Sequence, residues 1–270
     1  MNYKGIKEST LKYIALISMF IDHIGAFVLS FYIKDKLPGG FSMTSLLRSG
    51  EPIQVGYFLI RAVGRLAFPL FCFMIVEGLV HTKSRIKYAG RLLIFALISE
   101  VPFDLANKHE FWYPKYQNVF FTLFLGMVAI WGLSYAKQEM KKCITGKGTS
   151  ILKFLSPICV AMLVSCSAVL LADEIHTDYG MGGVLCIITM YLIYDMYIET
   201  WTRNKAYCMT MLSGVIVLSS FNNFELFAFL DVAIIAFYMG ERGKVSKYFF
   251  YAFYPAHILV LYFACRYILG

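Results

Sequence analysis

The chain has 270 residues, of which 59% are hydrophobic and only 16% charged, and its mean hydropathy is +0.64. Soluble domains carry about 25% charged residues, so this composition excludes an ordinary soluble globular protein. The formal net charge of +8 does not indicate nucleic-acid binding, because the Lys and Arg residues lie in short segments between long apolar runs. We therefore expect an all-α, multi-pass integral protein of the plasma membrane, with one domain over residues 1–270.

The first apolar run, residues 11–33, carries Asp22 and His23 near its middle. A cleaved signal peptide is the alternative, but this run exceeds the 7 to 15 apolar residues typical of a signal core and contains ionisable residues. We predict a first membrane-spanning helix. An Asp at mid-membrane costs about 2.5 to 3.5 kcal/mol on insertion scales, so such residues tend to face protein or water and to have a function.

The remaining apolar runs and the breaks between them predict about nine spans, with eight to ten left open. The predicted spans are 11–33, 54–80, 88–106, 118–136, 154–172, 180–198, 207–222, 226–240 and 248–268. The segments on one side of this arrangement carry seventeen Lys and Arg residues and those on the other side carry six. The positive-inside rule then predicts a cytoplasmic N-terminus, with loops 34–53 and 107–117 facing outward.

Four ionisable residues from four different runs fall near one level, if each helix rises about 1.5 Å per residue. They are His23, Arg65, Glu100 and His257. An imidazole titrates near neutral pH, so we interpret His23 as a general base. Adjacent helical residues point about 100° apart, so Asp22 is badly placed to orient His23, and we assign that role to Glu100. Arg65 is assigned to the oxyanion of the reaction.

Alternatives remain for several of these residues. Small and polar residues on the first run form a stripe that we expect to face other helices: Ala15, Ser18, Met19, Asp22, Gly25, Ala26 and Leu29. A structural ion-pair network is the favoured interpretation for Asp22 and Arg61, with Arg65, Glu100 and Asp104 as further members. His257 follows Pro255, which can open a helix toward a cavity, but it would also suit an interfacial histidine.

A cluster at the predicted cytoplasmic end of the second run could hold the phosphates of a soluble donor. We group these residues as a candidate donor site: Arg61, Glu77, His81, Lys83, Arg85, Lys87 and Arg91. The simpler interpretation of the cluster is the positive-inside signal. Residues 173–178 include metal-ligand types but no defined ligand spacing, and the seven Cys residues include no C-x-x-C, so we predict no metal site and no disulfide framework.

Five blocks of the sequence resemble successive blocks of the TraX family, over nearly the whole chain. The blocks are LKYIALISMFIDHIGA, RAVGRLAFPLFCFMIVEGLVHTKSRIKYAGRLLIFALISEVPFDL, NVFFTLFLGM, DYGMGGV and FYAFYPAHILVLY. The resemblance implies a relative of the membrane acyltransferases that include acyltransferase family 3 and the lysosomal heparan-type acetyltransferase. The founding activity of the family is acetylation of the N-terminal amine of conjugative pilin, with acetyl-CoA as donor.

The resemblance also implies which positions matter in this chain. The matching positions are Asp22, His23, Arg65, Glu77, His81, Glu100, Asp104, Asn118, Asp178 and His257. We therefore expect an acetyl-CoA-dependent acyltransferase in which His23 deprotonates an amine or hydroxyl, or accepts the acyl group transiently. The expected partners are membrane lipids, acyl-CoA and an extracytoplasmic acceptor such as a peptide N-terminus or amino sugar; a homodimer is left open.

Two other functions remain open from the sequence. In a proton-coupled transporter, His23, Glu100 and His257 would relay protons beside a substrate path. Such a protein would move a solute without cleaving a thioester. A structural membrane subunit would account for the spans and the charge but not for histidines at mid-membrane.

Overall fold

The computed structural model describes residues 5–30, 52–145, 150–243 and 246–269. Within these ranges the regular structure is helical, apart from two isolated bridges, which confirms the predicted all-α class. The α-helices are α1 (Glu8–His23), α2 (Pro52–Gly64), α3 (Ala67–His81), α4 (Arg85–Lys108), α5 (Val119–Thr145), α6 (Ile151–Glu174), α7 (Gly180–Tyr197), α8 (Arg203–Phe221), α9 (Leu230–Ala236) and α10 (Lys247–Ala264). A π-helical segment, Ile24–Leu29, continues α1, and another, Cys265–Leu269, continues α10. A 3-10 helix, Asn223–Phe229, precedes α9.

Six helical segments within the described ranges are long and apolar enough to cross a membrane, so the chain is a multi-pass membrane protein. They are Glu8–Leu29, Pro52–His81, Val119–Thr145, Ile151–Glu174, Gly180–Tyr197 and Tyr248–Tyr267. Each corresponds to one of the nine predicted spans. Residues 31–51, which include the end of the predicted span 11–33 and most of the predicted loop 34–53, lie outside the described residues. The last two residues of that loop begin α2.

The other three predicted spans do not correspond to helices, in the described part of the chain, that are long and apolar enough to cross a membrane. The spans 88–106 and 207–222 are helical, as parts of α4 and α8, but neither helix passes the same test of length and apolar composition. The span 226–240 is divided between the 3-10 helix and α9, which has seven residues. At about 1.5 Å per residue, α9 is far too short to cross a bilayer alone.

The buried face of α1 is the stripe of small and polar residues predicted from the sequence. Ala15, Ser18, Met19, Asp22 and Gly25 are all buried, whereas Ile17 is 57% exposed on the opposite face. Small side chains let neighbouring helices approach closely, so this face packs on α2 and α3. Asp22 is therefore directed into the protein and away from lipid.

The second predicted span is interrupted after Gly64, where α2 ends and α3 begins. The amides of Arg65 and Leu66 donate to the carbonyls of Ala62 and Val63, three residues back, so the chain makes a tight turn instead of a regular α-helical one. Arg61 lies one helical turn before Arg65, and the side chains of both arginines reach Asp22 on α1.

The two ends of the helical bundle are held by different contacts. At one end the Ile6 amide donates to the Phe237 carbonyl at 2.8 Å, the Met239 amide donates to the Ile6 carbonyl at 3.0 Å, and Lys7 pairs with Glu241. At the other end the Gln117 amide donates to the His176 carbonyl and the Asp178 amide to the Gln117 carbonyl. At the first end the lysine-rich N-terminal segment thus contacts segment 237–241, which the predicted alternating topology places on the same side of the membrane.

Asn118 joins α4 to the start of α5. Its side-chain amide donates to the Ala96 carbonyl at 2.8 Å and to the Glu100 carboxylate, and its side-chain oxygen accepts from the Phe120 amide at 3.0 Å. Asn118 is fully buried, so each of these bonds would leave an unpaired polar group if the side chain were removed. It therefore fixes the connection between α4 and α5.

We expect Asn118→Ala to lower the free energy of unfolding by about 1 to 3 kcal/mol, because it leaves the buried Glu100 carboxylate and the Phe120 amide without their partner. Thermal unfolding of the detergent-solubilised protein measures this. Gln117→Ala, at the neighbouring position, is the control, because the Gln117 side chain makes one exposed hydrogen bond to the Pro114 carbonyl. The free energy of unfolding of this variant should differ from that of the wild type by no more than about 0.5 kcal/mol. Equal loss for both variants would contradict the assigned role of Asn118.

Candidate functional site

A cavity of about 160 Å³ lies where α1, the α2–α3 turn, α4 and α10 meet the segments that precede α5 and α7. Its polar lining includes Asp22, His23, Arg61, Arg65, Tyr116 and Asp178. These residues come from positions as far apart as 22 and 178, so the cavity exists only in the folded bundle. Its ionisable lining makes it the candidate functional site.

His23 faces a second histidine across the cavity wall. The distance between His23 Nδ1 and His257 Nε2 is 2.6 Å, which is a short hydrogen bond. The two rings are nearly coplanar, at 12°, with centroids 4.9 Å apart. They therefore meet edge to edge, as a bond between ring nitrogens requires, and not face to face. His257 is 5% exposed, so the pair is shielded on the side of α10.

The position of the protons in this pair follows from the partner of His257. His257 Nδ1 lies 2.7 Å from the Phe253 carbonyl, which can only accept, so Nδ1 carries a proton and donates it. In neutral His257, Nε2 is then an acceptor, and the bond to His23 requires a proton on His23 Nδ1. Nε2 of His23 is left with its lone pair available. His23 lines the cavity, so it has the tautomer of a general base.

Asp22 is held by two arginines on the side of the cavity next to His23. Its Oδ2 accepts from Arg61 Nη1 at 2.6 Å, and its Oδ1 accepts from Arg65 Nη2 at 2.8 Å. Arg65 Nη1 continues the network to Glu225 Oε1, also at 2.8 Å. The structural ion-pair network that we favoured for Asp22 and Arg61 is therefore present. Glu100 and Asp104, which we had placed in it, have other partners.

The two arginines differ in what they can still offer a ligand. Arg65 uses both terminal nitrogens for carboxylates and its Nε for the Arg61 carbonyl, and it is 8% exposed. The side chain of Arg61 is 22% exposed and directs Nη1 to Asp22. Arg61 is thus the more accessible cation in the cavity, although the sequence assigned Arg65 to the oxyanion and Arg61 to the donor phosphates.

A glycine permits the close approach of α1 and α2 at this network. A Cβ atom on Gly64 would overlap the carboxylate of Asp22, so only glycine fits. Next to it, α1 changes from α-helical to π-helical hydrogen bonding directly after His23. Single turns of π-helix are frequent at functional sites, because they locally widen the helix and redirect its side chains.

Tyr116, Asp178 and Tyr179 form a further part of the cavity wall. The Tyr116 hydroxyl donates to Asp178 Oδ1 at 2.9 Å, and the Thr122 hydroxyl donates to the Asp178 carbonyl. The ring of Tyr179 stacks on Phe68, with centroids 3.6 Å apart. Tyr179 has a φ of 67°, a strained conformation for a residue other than glycine. Asp178 is therefore a fixed carboxylate that lines the cavity.

Glu100 does not orient His23, which corrects the sequence-based assignment. Its Oε2 accepts from Asn118, and its Oε1 has no hydrogen-bond partner among the described residues. Asp104, one turn later, accepts from the Tyr113 amide at 2.7 Å. Both carboxylates thus support the segment that precedes α5. His257 has the place next to His23 that we had assigned to Glu100.

The candidate donor site is also divided by the structure. Glu77 is buried and accepts from the hydroxyls of Tyr238, at 2.8 Å, and Tyr207, at 3.2 Å, so it joins α3 to α8 and cannot face a soluble phosphate. Arg61 belongs to the central cavity. His81 and Lys83 are exposed at the end of α3, as is Lys87 in the first turn of α4.

Two basic residues of that group have side-chain partners. Arg85 Nη2 donates to the Ser134 hydroxyl at 3.0 Å, and the guanidinium of Arg91 lies 5.5 Å from the centre of the Tyr88 ring. The group predicted as one phosphate site is therefore spread over the end of the bundle, with Glu77 and Arg61 removed from it.

Glu225 and Tyr254 are residues that the sequence did not single out. Glu225 is 2% exposed and completes the Arg65 network from the 3-10 helix. Its position gave little signal, because it falls in the short break between the predicted spans 207–222 and 226–240, where a carboxylate is common. Tyr254 lines the cavity and its ring lies 5.8 Å from that of His23. Among the described residues, no group of three or more His, Cys, Asp or Glu gathers to hold a metal.

We expect Gly64→Ala to displace Asp22 from Arg65 and thereby lower both thermal stability and whatever activity the cavity supports. The physical reason is the overlap between the new methyl group and the Asp22 carboxylate. Gly56→Ala, in the same helix, is a matched control, since its Cβ would meet nothing within 4 Å and alanine favours helix. Thermal unfolding in detergent compares the two, and a Gly64→Ala protein as stable as Gly56→Ala would contradict this packing.

Comparison with known proteins places these features in a family. The chain matches the TraX protein family over residues 7–264. A protein of Dichelobacter nodosus described as the probable fimbrial assembly protein FimC, serogroup H1, is 28% identical over 271 residues, which cover 93% of this chain and 92% of the relative. No solved structure gives a significant match. Since the family match extends from the residue before α1 to the last residue of α10, and so includes both histidines, the chain belongs to the TraX family.

Proposed function

We propose that this protein is a membrane acyltransferase that transfers an acetyl group from cytosolic acetyl-CoA to an acceptor reached from the extracytoplasmic side. The observation that carries the proposal is the His23–His257 pair, which leaves His23 Nε2 as an available base in a residue that lines the cavity. Membership of the TraX family supports it, because that family is linked to pilin acetylation. The cytoplasmic N-terminus predicted from the Lys and Arg distribution sets the direction.

His23 acts as the general base in this proposal. Its Nε2 removes a proton from the acceptor as the acceptor nitrogen or oxygen attacks the thioester carbonyl. When the tetrahedral intermediate collapses, the carbon–sulfur bond breaks and His23 returns the proton to the coenzyme A thiolate. His257 is a positioning residue: it holds the His23 tautomer and disperses the positive charge that His23 carries between the two steps.

Arg61 is our candidate for the group that stabilises the oxyanion. A fixed cation in a water-poor cavity lowers the energy of a developing negative charge more than it would in water. Arg61 is held by Asp22 at 2.6 Å and keeps partial exposure, whereas Arg65 has carboxylates at both terminal nitrogens. Asp22 and Arg65 then position Arg61, and they need not touch the substrate.

Asp178 favours an amine over a hydroxyl as acceptor. It is a carboxylate in the cavity, held on one oxygen by Tyr116, and it lies at the bundle end opposite the lysine-rich N-terminal segment. A carboxylate binds an ammonium group through a charge-assisted hydrogen bond more strongly than it binds a neutral hydroxyl. The ammonium releases one proton to solvent before the neutral amine attacks, and His23 then takes the next proton. A peptide N-terminus is therefore the acceptor that we propose first. The described relative is named as a fimbrial assembly protein, which is compatible with such an acceptor.

We expect purified wild-type protein to release thiol from acetyl-CoA only when an acceptor is present, with peptide amines preferred. His23→Ala should lower kcat by about 10² to 10⁴, because it removes the base. His257→Gln should cause a smaller loss and change the pH profile of the remaining activity, since it alters how the His23 proton is held. Thiol release measured against a panel of amine and hydroxyl acceptors tests these expectations.

His109→Asn is the histidine control, since His109 is exposed and its left-handed backbone suits asparagine. It should leave kcat unchanged. Full activity in a correctly inserted His23→Ala protein would refute the proposed base. Movement of a solute in proteoliposomes without thioester cleavage would favour the transporter alternative instead.

A further inference from the structure

A second, smaller cavity of about 40 Å³ adjoins the first and is almost entirely apolar. The two cavities share four wall residues: Met19, Phe71, Val119 and Tyr254. Beyond this shared wall, the lining of the smaller cavity includes Leu16, Leu92, Leu123 and Tyr88. The cavity therefore lies between α1, α3, α4, α5 and α10. It leads away from His23 toward the beginnings of α1 and α4.

Two cations lie against the aromatic residues at the far end of this smaller cavity. The ammonium group of Lys12 is 5.6 Å from the centre of the Phe250 ring, and the guanidinium of Arg91 is 5.5 Å from that of Tyr88. Both rings line the cavity. Arg91 also interacts with the Tyr251 hydroxyl, and its Nε is buried without a hydrogen-bond partner. Glu8 pairs with Lys12 at 2.5 Å and is the carboxylate at this mouth.

The position of this mouth agrees with a cytosolic ligand. Lys12 lies on α1 one turn beyond the residues that pair with segment 237–241, at the end that collects the lysine-rich N-terminal segment. Eleven residues separate Lys12 from His23, which is about 16 Å along a helix. A ligand with phosphates at Lys12 and a reactive group at His23 must therefore span most of half a membrane through an apolar passage.

A hydroxyl whose proton has no acceptor among the described residues marks the inner end of the passage. Tyr254 is 3% exposed, lines both cavities, and its hydroxyl proton has no acceptor among the described residues. A buried donor without a partner is costly, and a carbonyl group of a ligand would satisfy it. Thus the passage offers cations at one end, apolar walls along its length and one free donor near His23.

We propose that the smaller cavity is the passage for the pantetheine arm of the acyl donor, with Lys12 and Arg91 binding the donor phosphates and Tyr254 donating to a carbonyl of the arm. This rests on the proposed function for the identity of the donor. It also replaces the broader phosphate site predicted from the sequence: of that group only Arg91 lies at the mouth, and Lys12 joins it from α1.

The experiment compares acetyl-CoA with acetyl-pantetheine, which lacks the phosphates. For the double variant Lys12→Gln, Arg91→Gln, we expect the KM for acetyl-CoA to rise at least about tenfold with little change in kcat, because each lost charged contact is worth about that factor. The KM for acetyl-pantetheine should stay unchanged. Tyr254→Phe, which removes only the hydroxyl, should raise the KM for both donors.

A substitution that should change the KM for acetyl-CoA in the opposite direction gives a second readout. Glu8→Gln should lower the KM for acetyl-CoA, since it removes the carboxylate that competes for Lys12. Rising ionic strength should weaken acetyl-CoA binding to the wild-type protein and affect the double variant less. The control is Lys141→Gln, Lys205→Gln, which removes two exposed cations elsewhere and should leave both KM values unchanged.

The outcomes separate this inference from the proposed function. Turnover with an unchanged KM for acetyl-CoA in the Lys12→Gln, Arg91→Gln variant would overturn the passage and leave the acyltransferase intact. If the wild type shows no turnover, calorimetric binding of coenzyme A replaces KM: binding that the double variant loses supports the passage, whereas equal binding by both proteins, or none by the wild type, overturns it.

Discussion

The paired charges of Asp22 with Arg61 and Arg65 are the interaction on which the rest of the site depends. A carboxylate at this depth is tolerated only with partners, and removing one member would leave an uncompensated charge that costs several kcal/mol. Arg61 comes from α2 and Arg65 from the turn that follows it, one helical turn later, so both side chains reach Asp22 on α1. Glu225 extends the same network to the 3-10 helix. One carboxylate thereby sets the relative positions of four segments of the chain.

The same network determines where His23 points. Consecutive residues on a helix are directed about 100° apart, so once Asp22 is held toward α2, His23 must face a different neighbour. That neighbour is α10, and the residue that it presents is His257. The sequence argument that Asp22 cannot orient His23 directly was sound, yet Asp22 contributes by fixing the rotation of α1. The π-helical turn that follows allows the helix to continue past this point.

Periodicity and composition predicted the helical class, the buried stripe of α1 and the burial of Asp22 against charged partners, because these depend on local spacing and on the cost of charge in lipid. They did not predict the partner of His23. Depth along a helix places a residue on a level but gives no direction around the axis, so Glu100 and His257 were equally eligible until the packing was known. Glu77 shows the same limit: its place near a basic segment suggested phosphates, whereas two tyrosines from distant helices enclose it. Glu225 lay in the predicted break before the span 226–240, but the structure places it in a buried 3-10 helix.

The two histidines are separated by 234 positions in the chain, and the second belongs to the last helix. In a protein that is inserted as it is synthesised, α1 and its arginine partners emerge first, whereas His23 meets His257, which defines its tautomer, only after almost the entire chain has been made. A chain that ended before α10 would contain the ion pairs of Asp22, the cavity residues Tyr116 and Tyr179, and most of the membrane-spanning segments. Its His23 would lack the hydrogen bond that fixes which ring nitrogen carries the proton. The histidine pair is thus formed only after α10 has been synthesised.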